Sequence, residues 1–293
     1  MAQKKKIWEA VIHGMFLVLG LITVGCVLLI TVYLVISGIP AIRKIGLGAF
    51  LTGKVWESTA AQPHYGILPF ILTSVYGTAG AIVLGVPIGF LTAVYLSKVA
   101  PKGVKRALNS AVSLLAGIPS VVYGLVGMLV LVPAIRKTFH LPDGASLLAA
   151  ILVLAVMILP SIIKVSVTAL DAVPKEYEDA SLALGATPIE TYFRVSVPAA
   201  KSGIAAAVVL GVGRAIGEAM AVMMVSGNAP NMPGSIFESV RFLTTAVASE
   251  MAYSGPGSLQ RQALFSIALV LYLFILLINA SLNFFLKRDK EGD

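Results

Sequence analysis

Charge is what this chain has least of. Asp, Glu, Lys and Arg make up 12% of its 293 residues, about half of the ~25% found in an ordinary soluble domain. So few ionisable groups cannot clothe a water-exposed globule, and the mean hydropathy of +0.92 agrees. There is one cysteine, Cys26, which excludes a disulfide framework and a thiolate metal site. Three histidines, His13, His64 and His140, are scattered and share no metal-ligand spacing. The sequence has no Walker A loop, no G-x-S-x-G elbow and no H-E-x-x-H helix. Nothing in it is equipped to hydrolyse ATP, to hold a cofactor or to act as an enzyme.

What it has instead is long apolar runs. A helix needs roughly 20 apolar residues to cross a ~30 Å hydrocarbon core, and alternating segments of the barrel type are absent. The chain therefore reads as an all-α integral membrane protein with six transmembrane helices. The spans are expected at Ile12–Ile36, Ile67–Leu96, Asn109–Val132 (stopped by Pro133), Ala145–Ala169, Gly203–Val225 and Ala263–Leu286. The first run is too long for a cleaved signal peptide and is read as an uncleaved span. One transmembrane domain covers 1–293: an N-terminal span (12–36), core spans within 67–286, and a polar loop over 170–200.

The net charge of +8 does not point to nucleic acid, because the basic residues cluster at span ends. Lys4, Lys5, Lys6, Lys98, Lys102, Lys105, Arg106, Lys175, Arg194, Lys201, Lys287, Arg288 and Lys290 fall on one side of a six-span layout. Arg43, Lys44, Lys54, Arg136, Lys137, Arg241 and Arg261 fall on the other. The positive-inside rule then puts both termini and the polar loop in the cytoplasm of a multi-pass cell-membrane protein. Two long outer segments, 37–66 and 226–262, are either plain connectors or carry a short interfacial helix at Ile39–Ile45.

Within the polar loop, a short helix is expected from Lys175 to Leu184. Pro174 stands at its start, Glu176, Glu178 and Asp179 lie in its first turns where the dipole favours anions, and Gly185 is placed to end it. Read from the residues alone it is a solvated connector or a docking element. Arg214 and Glu218 sit in the fifth span at i,i+4, one helix face. Charges at that depth cost at least a few kcal/mol each and face a partner or a pathway. They are either an ion pair joining helices or an anion site, with Arg214 presenting the planar guanidinium that suits phosphate oxygens and Glu218 restraining it. Gly85-x-x-x-Gly89 and Gly213-x-x-x-Gly217 read as close-packing helix faces.

Asp179-Ala180-Ser181, then Gly185 after three residues, then Val195-x-Val197-Pro198 after nine more, resembles the EAA loop of ABC importer permeases, with Asp, Ser and Val in relaxed positions. Tyr65-Gly-Ile-Leu-Pro69, Gly117-Ile-Pro-Ser-Val-Val-Tyr-Gly124 and the run from Gly213 to Asn228 extend that likeness over nearly the whole chain. With the extra first span and the Trp56-containing loop, it resembles the C-type permeases of bacterial high-affinity phosphate (Pst) importers. The resemblance implies a type I ABC importer permease fold with a cytoplasmic coupling helix. Its ATPase-docking residues would be Glu176, Tyr177, Glu178, Asp179, Ala180, Ser181, Leu182, Gly185, Ala186 and Thr187. Arg214 and Glu218 match the residues implicated in transport. The implied partners are a sister A-type permease, two copies of an ATPase that uses the ATP and Mg, and an external phosphate-binding protein. Another oxyanion such as sulfate or molybdate, and an ion-coupled secondary transporter, are the alternatives.

Overall fold

The computed structural model describes residues 2–288, with side chains at 8–9 and 12–281. The terminal basic clusters (Lys4, Lys5, Lys6, Lys287, Arg288 and Lys290) lie outside the described side chains. The chain opens with a long helix α1 (Ala2–Ile45) and a short α2 (Leu47–Thr52). A two-residue antiparallel hairpin follows, β1 (Trp56–Glu57) with β2 (His64–Tyr65), in the register Trp56 opposite Tyr65. Then come α3 (Leu68–Val94), which ends in a π-turn at Tyr95–Val99, and α4 (Lys102–Gly117). Next are α5 (Ser120–Val126), a π-turn at Gly127–Leu131 and α6 (Val132–Thr138). The central helix is α7 (Leu147–Asp171).

Beyond it lie α8 (Lys175–Ala183), α9 (Pro188–Thr191), a π-turn at Tyr192–Ser196 and α10 (Val197–Ala199). The chain closes with α11 (Lys201–Gly217), α12 (Met220–Val225), α13 (Leu243–Glu250) and α14 (Leu259–Arg288). Five stretches are long and apolar enough to cross a membrane: Ile12–Ile45, Leu68–Val99, Ser120–Thr138, Leu147–Asp171 and Leu259–Ser281. A sixth is formed if Pro188–Ala199 and Lys201–Gly217, bent by 72°, count as one.

Three expected boundaries are corrected. The third span begins at Ser120, not Asn109, because Ile118 is extended and Pro119 has no N–H to carry a helix through. It also runs past Pro133 to Thr138: the wide turn at Gly127–Leu131 immediately precedes the proline, which then sits in the first turn of α6, where a missing N–H costs little. The fifth helix stops at Gly217, so Gly203–Val225 is two helices. Ile39–Ile45 is no separate interfacial helix. It continues α1, and its Ala41 is fully buried beside Phe50, Leu264 and Ile267.

α7 is the hub of the packing. Ile151, Leu154, Met157, Ile158 and Ile162 are buried on it, and α3, α4 and α11 all lie against it. α3 comes close because it presents glycines. A Cβ on Gly85 would stand 2.7 Å from Ile158 Cδ1, and one on Gly89 2.9 Å from Ile162 Cγ2. The Gly85/Gly89 face is thus an internal packing face, as the spacing implied. Gly213 and Gly217 are different: no atom lies within 4 Å of a Cβ built on either, so none of the described residues packs on that face. The N-terminus of α7 is satisfied from outside the helix. Val225, Glu238 and Ile236 carbonyls accept from Ser146, Leu147 and Leu148 N–H, and the Ser146 hydroxyl caps Ala149 N–H at 3.3 Å.

Candidate functional site: a tethered surface helix and a mid-bundle arginine

Lys175–Ala183 folds as the polar loop's pattern requires. Pro174 precedes it in extended geometry, Glu176 and Glu178 stand in the first turn, and none of its residues is buried. Gly185 follows at φ +87°, the left-handed conformation that ends helices. Ala186 N–H then closes back on Ser181 O at 3.3 Å. Thr187 opens the next helix with a reciprocal cap: Glu190 N–H donates to Thr187 Oγ1 at 3.4 Å and Thr187 N–H to Glu190 Oε2 at 3.0 Å. That Thr-x-x-Glu signature was readable in the sequence and was passed over. Tyr177, Leu182, Leu184 and Ile189 are exposed here, Leu184 to 90%.

A helix with no buried residue needs another anchor, and Glu178 supplies it. Its Oε1 meets Lys98 Nζ at 2.5 Å and accepts from Ser196 Oγ at 2.8 Å. Burial disfavours its charge, but the Lys98 ammonium and the Ser196 hydroxyl outweigh that and hold the carboxyl below the usual range. Lys98 also donates to the Leu170 carbonyl at 3.0 Å. One ammonium therefore ties α8 to the ends of α3 and α7. The Ser181 and Thr191 hydroxyls, 2.9 Å apart, add a second tie. Of the expected docking residues, Glu178 and Ser181 thus face the protein; Glu176, Tyr177, Asp179, Ala180, Leu182, Gly185 and Thr187 are exposed, and Ala186 is half-buried.

Arg214 and Glu218 do not share a helix face. α11 ends at Gly217, and Glu218 is extended with ψ 129°. Its carboxylate turns to α12, where Oε1 accepts from Ala221 N–H at 3.0 Å, and its carbonyl accepts from Thr244 Oγ1 at 2.8 Å. Among the described residues no carboxylate lies within ion-pair distance of Arg214. Its Nη1 donates instead to Ser161 Oγ of α7 at 3.4 Å. Close by in the bundle, Gly124 of α5 packs on Ala221, the residue whose N–H Glu218 holds. Tyr123 donates to the Leu115 carbonyl at 2.8 Å, an acceptor left available where α4 stops before Pro119. Ser161 and Tyr123 were not picked out beforehand. Pro119, at the break after α4, and Pro160, inside α7 next to Ser161, were the available signal.

At the end of the bundle away from α8, a second polar cluster forms on Glu250. Trp56 Nε1 donates to its Oε1 at 2.9 Å, Arg241 Nη1 reaches the same oxygen at 2.5 Å, and Ser58 Oγ and Gln260 Nε2 reach Oε2 at 2.9 and 3.3 Å. Burial and this carboxylate push the Tyr65 phenol up. Trp56 and Glu250 lie 194 residues apart, so no sequence spacing announces them.

The chain thus combines a bundle of membrane-length helices with an exposed helix pinned to its end. The chain belongs to the family of binding-protein-dependent transport system inner membrane components, whose profile matches residues 85–288. It is a transmembrane permease subunit of an ABC importer. It is similar to YqgH, a probable ABC transporter permease protein of Bacillus subtilis (strain 168), at 41% identity over 266 residues, 89% of this chain and 86% of that one. The phosphate transport system permease protein PstC of Haemophilus influenzae is 34% identical over 270 residues, 85% and 84% of the two chains. Among solved structures, a chain of the inward-facing MetNI methionine ABC transporter matches with TM-score 0.59 at 19% identity, over 76% of this chain and 96% of that one. A chain of a bacterial alginate ABC transporter in complex with its periplasmic protein gives TM-score 0.65 at 16% identity, over 96% and 97%. At such identities the likeness speaks for the fold.

Proposed function

We propose that this permease forms the path by which inorganic phosphate enters the cell, driven by a separate ATPase that docks on α8. The observation that carries the reading is Arg214, a guanidinium inside a membrane bundle with a serine hydroxyl for a partner and no carboxylate. A cation so placed is a station for an anion, and its planar donors match phosphate oxygens. The phosphate transport named for the PstC relative supports the choice of cargo. Capture belongs to an external binding protein, so a weak site serves best, since a bound ion must also leave. The exposed Tyr177, Leu182 and Leu184 are the apolar contacts α8 offers an ATPase, one copy here and one on a sister A-type permease that covers the open Gly213/Gly217 face. Both termini and α8 are cytoplasmic, and 1–293 acts as one domain. Glu218 caps α12 and shapes the break beside Arg214 without pairing with it.

The test is uptake of labelled phosphate into proteoliposomes holding the sister permease, the ATPase and the binding protein, with sulfate and molybdate in parallel. Arg214→Gln is expected to assemble and to cut uptake at least about tenfold, a barrier change of roughly 1.4 kcal/mol. Undiminished uptake would remove Arg214 from the path. Preference of the unaltered transporter for sulfate or molybdate would refute phosphate.

A further inference from the structure

α4 carries a polar face that none of the described residues covers. Lys102, Arg106, Asn109, Ser110, Ser113 and Gly117 fall within one stripe at helical spacing, and Val104, Leu108, Ala111 and Leu115 lie opposite. The stripe runs the length of the helix, about 22 Å at 1.5 Å per residue. Along it Arg106, Ser110 and Ser113 are exposed and Asn109 is half-buried. No atom lies within 4 Å of a Cβ built on Gly117. Among the described residues the Arg106, Asn109, Ser110 and Ser113 side chains have no hydrogen-bond partner. Val112, off the stripe, is buried against Leu96 and Ile163, which fixes the rotation of the helix and leaves the polar face outward.

Hydrocarbon is the wrong surrounding for such a face, because amide and guanidinium groups left without partners there forfeit the hydrogen bonds that water gives them. Its charge states what suits it: two cations and no carboxylate on the stripe. Its position says where it leads. The Leu115 carbonyl near the far end of α4 receives the Tyr123 hydroxyl of α5, and Gly124 beside it packs on Ala221, whose N–H donates to Glu218 at the helix break that follows Arg214. The stripe thus runs from the neighbourhood of Arg214 toward the α8 end of the bundle, where Lys105 of the same helix pairs with Asp171 at 3.2 Å.

We propose that this stripe lines the inner half of the anion path, receiving a phosphate-class oxyanion from Arg214 and passing it to the cytoplasm. The inference rests on reading Arg214 as an anion station. Ser113, Ser110 and Asn109 offer neutral donors, which bind an oxyanion weakly enough to let it move on. Arg106, unpaired at the mouth, draws the anion outward and keeps cations away.

The experiment places single cysteines in a Cys26→Ala background of the assembled transporter, on the stripe at Asn109, Ser110 and Ser113 and on the far face at Leu108, Ala111 and Leu115. The probe is the anionic thiol reagent methanethiosulfonate ethylsulfonate, applied from the α8 side. Stripe cysteines are expected to react at least about tenfold faster than far-face ones, with millimolar inorganic phosphate slowing them. Modified Ser113→Cys should lose phosphate uptake, and Arg106→Gln should lower it by about fivefold or more. Stripe cysteines as unreactive as the far face would mean that protein covers them, and would overturn the proposal. So would fast reaction that phosphate does not slow and that leaves uptake intact. If the unaltered transporter moved no phosphate, the substrate reading would fall by itself, and the reactivity pattern would still decide whether an anion-accessible path runs along α4.

Discussion

Glu178 shows how much one side chain can carry. Both members of its pair with Lys98 are largely shielded, at 18% and 10% side-chain exposure. Removing one leaves an uncompensated charge, at a cost of up to about 3–5 kcal/mol. Lys98→Met is therefore expected to raise amide exchange in α8 by about 100-fold in lipid nanodiscs; unchanged exchange would mean that the pair anchors nothing. The pH dependence has a definite sign. The carboxyl is held below its unfolded value, so its contribution is present above the ordinary carboxylate pKa and disappears as pH falls through the lower, folded one. After correction for intrinsic rates, the difference between Lys98→Met and the unaltered chain should shrink below about pH 4. Little of this was legible in advance. Lys98 counted only as one of several basic residues marking a membrane face, because pairing over 80 positions leaves no periodic trace. Arg214 did stand out, since a charge inside an apolar run is visible without any partner. The helix face it was expected to share with Glu218 is missing because i,i+4 geometry presupposes an unbroken helix, and Gly217 reads equally well as a packing residue or a terminator.

At the scale of elements, the polar loop was the most legible part of the chain. A helix expected over 175–184 is observed at Lys175–Ala183, and Gly185 has the expected positive φ. Local chemistry alone (a proline before, acids in the first turn, a glycine after) settles such a helix. Gly185→Val is a clean test, because no atom lies within 4 Å of the added Cβ. The cost is in the backbone, about 1–3 kcal/mol for a β-branched residue held at positive φ. Normal membrane levels with loss of ATP-driven uptake and of ATPase co-purification are expected; full uptake would remove the docking role of α8. The spans were legible in number and blurred at their ends. Hydropathy registers an apolar stretch but not the breaks at Ile118 and Glu218. It also ran the third span back into α4, whose apolar face resembles a membrane segment when its polar stripe is averaged away.

For the molecule as a whole, the proposed orientation puts the hairpin and the loop before α13 outside the cell. Ser58 is engaged by Glu250, so the exposed Ala60 and Asn231 are the better reporters. Cysteine at either, in a Cys26→Ala background, should react with an impermeant thiol reagent on intact cells. Labelling only after the membrane is opened would invert the topology. The donors gathered by Glu250 come from the hairpin, from the strand-like stretch holding Arg241 and from α14, while the carboxylate itself belongs to α13. Pulling the Arg241 stretch away strands a charge and pulling either of the others away costs the carboxylate a donor, so the outer end behaves as a keystone arch, stiff as long as every stone is seated. Compliance must then be found lower down. There the backbone is already discontinuous, at Ile118–Pro119 between α4 and α5 and at Glu218–Ala219 between α11 and α12, and any movement that leaves the arch above whole is expected to turn at these two joints.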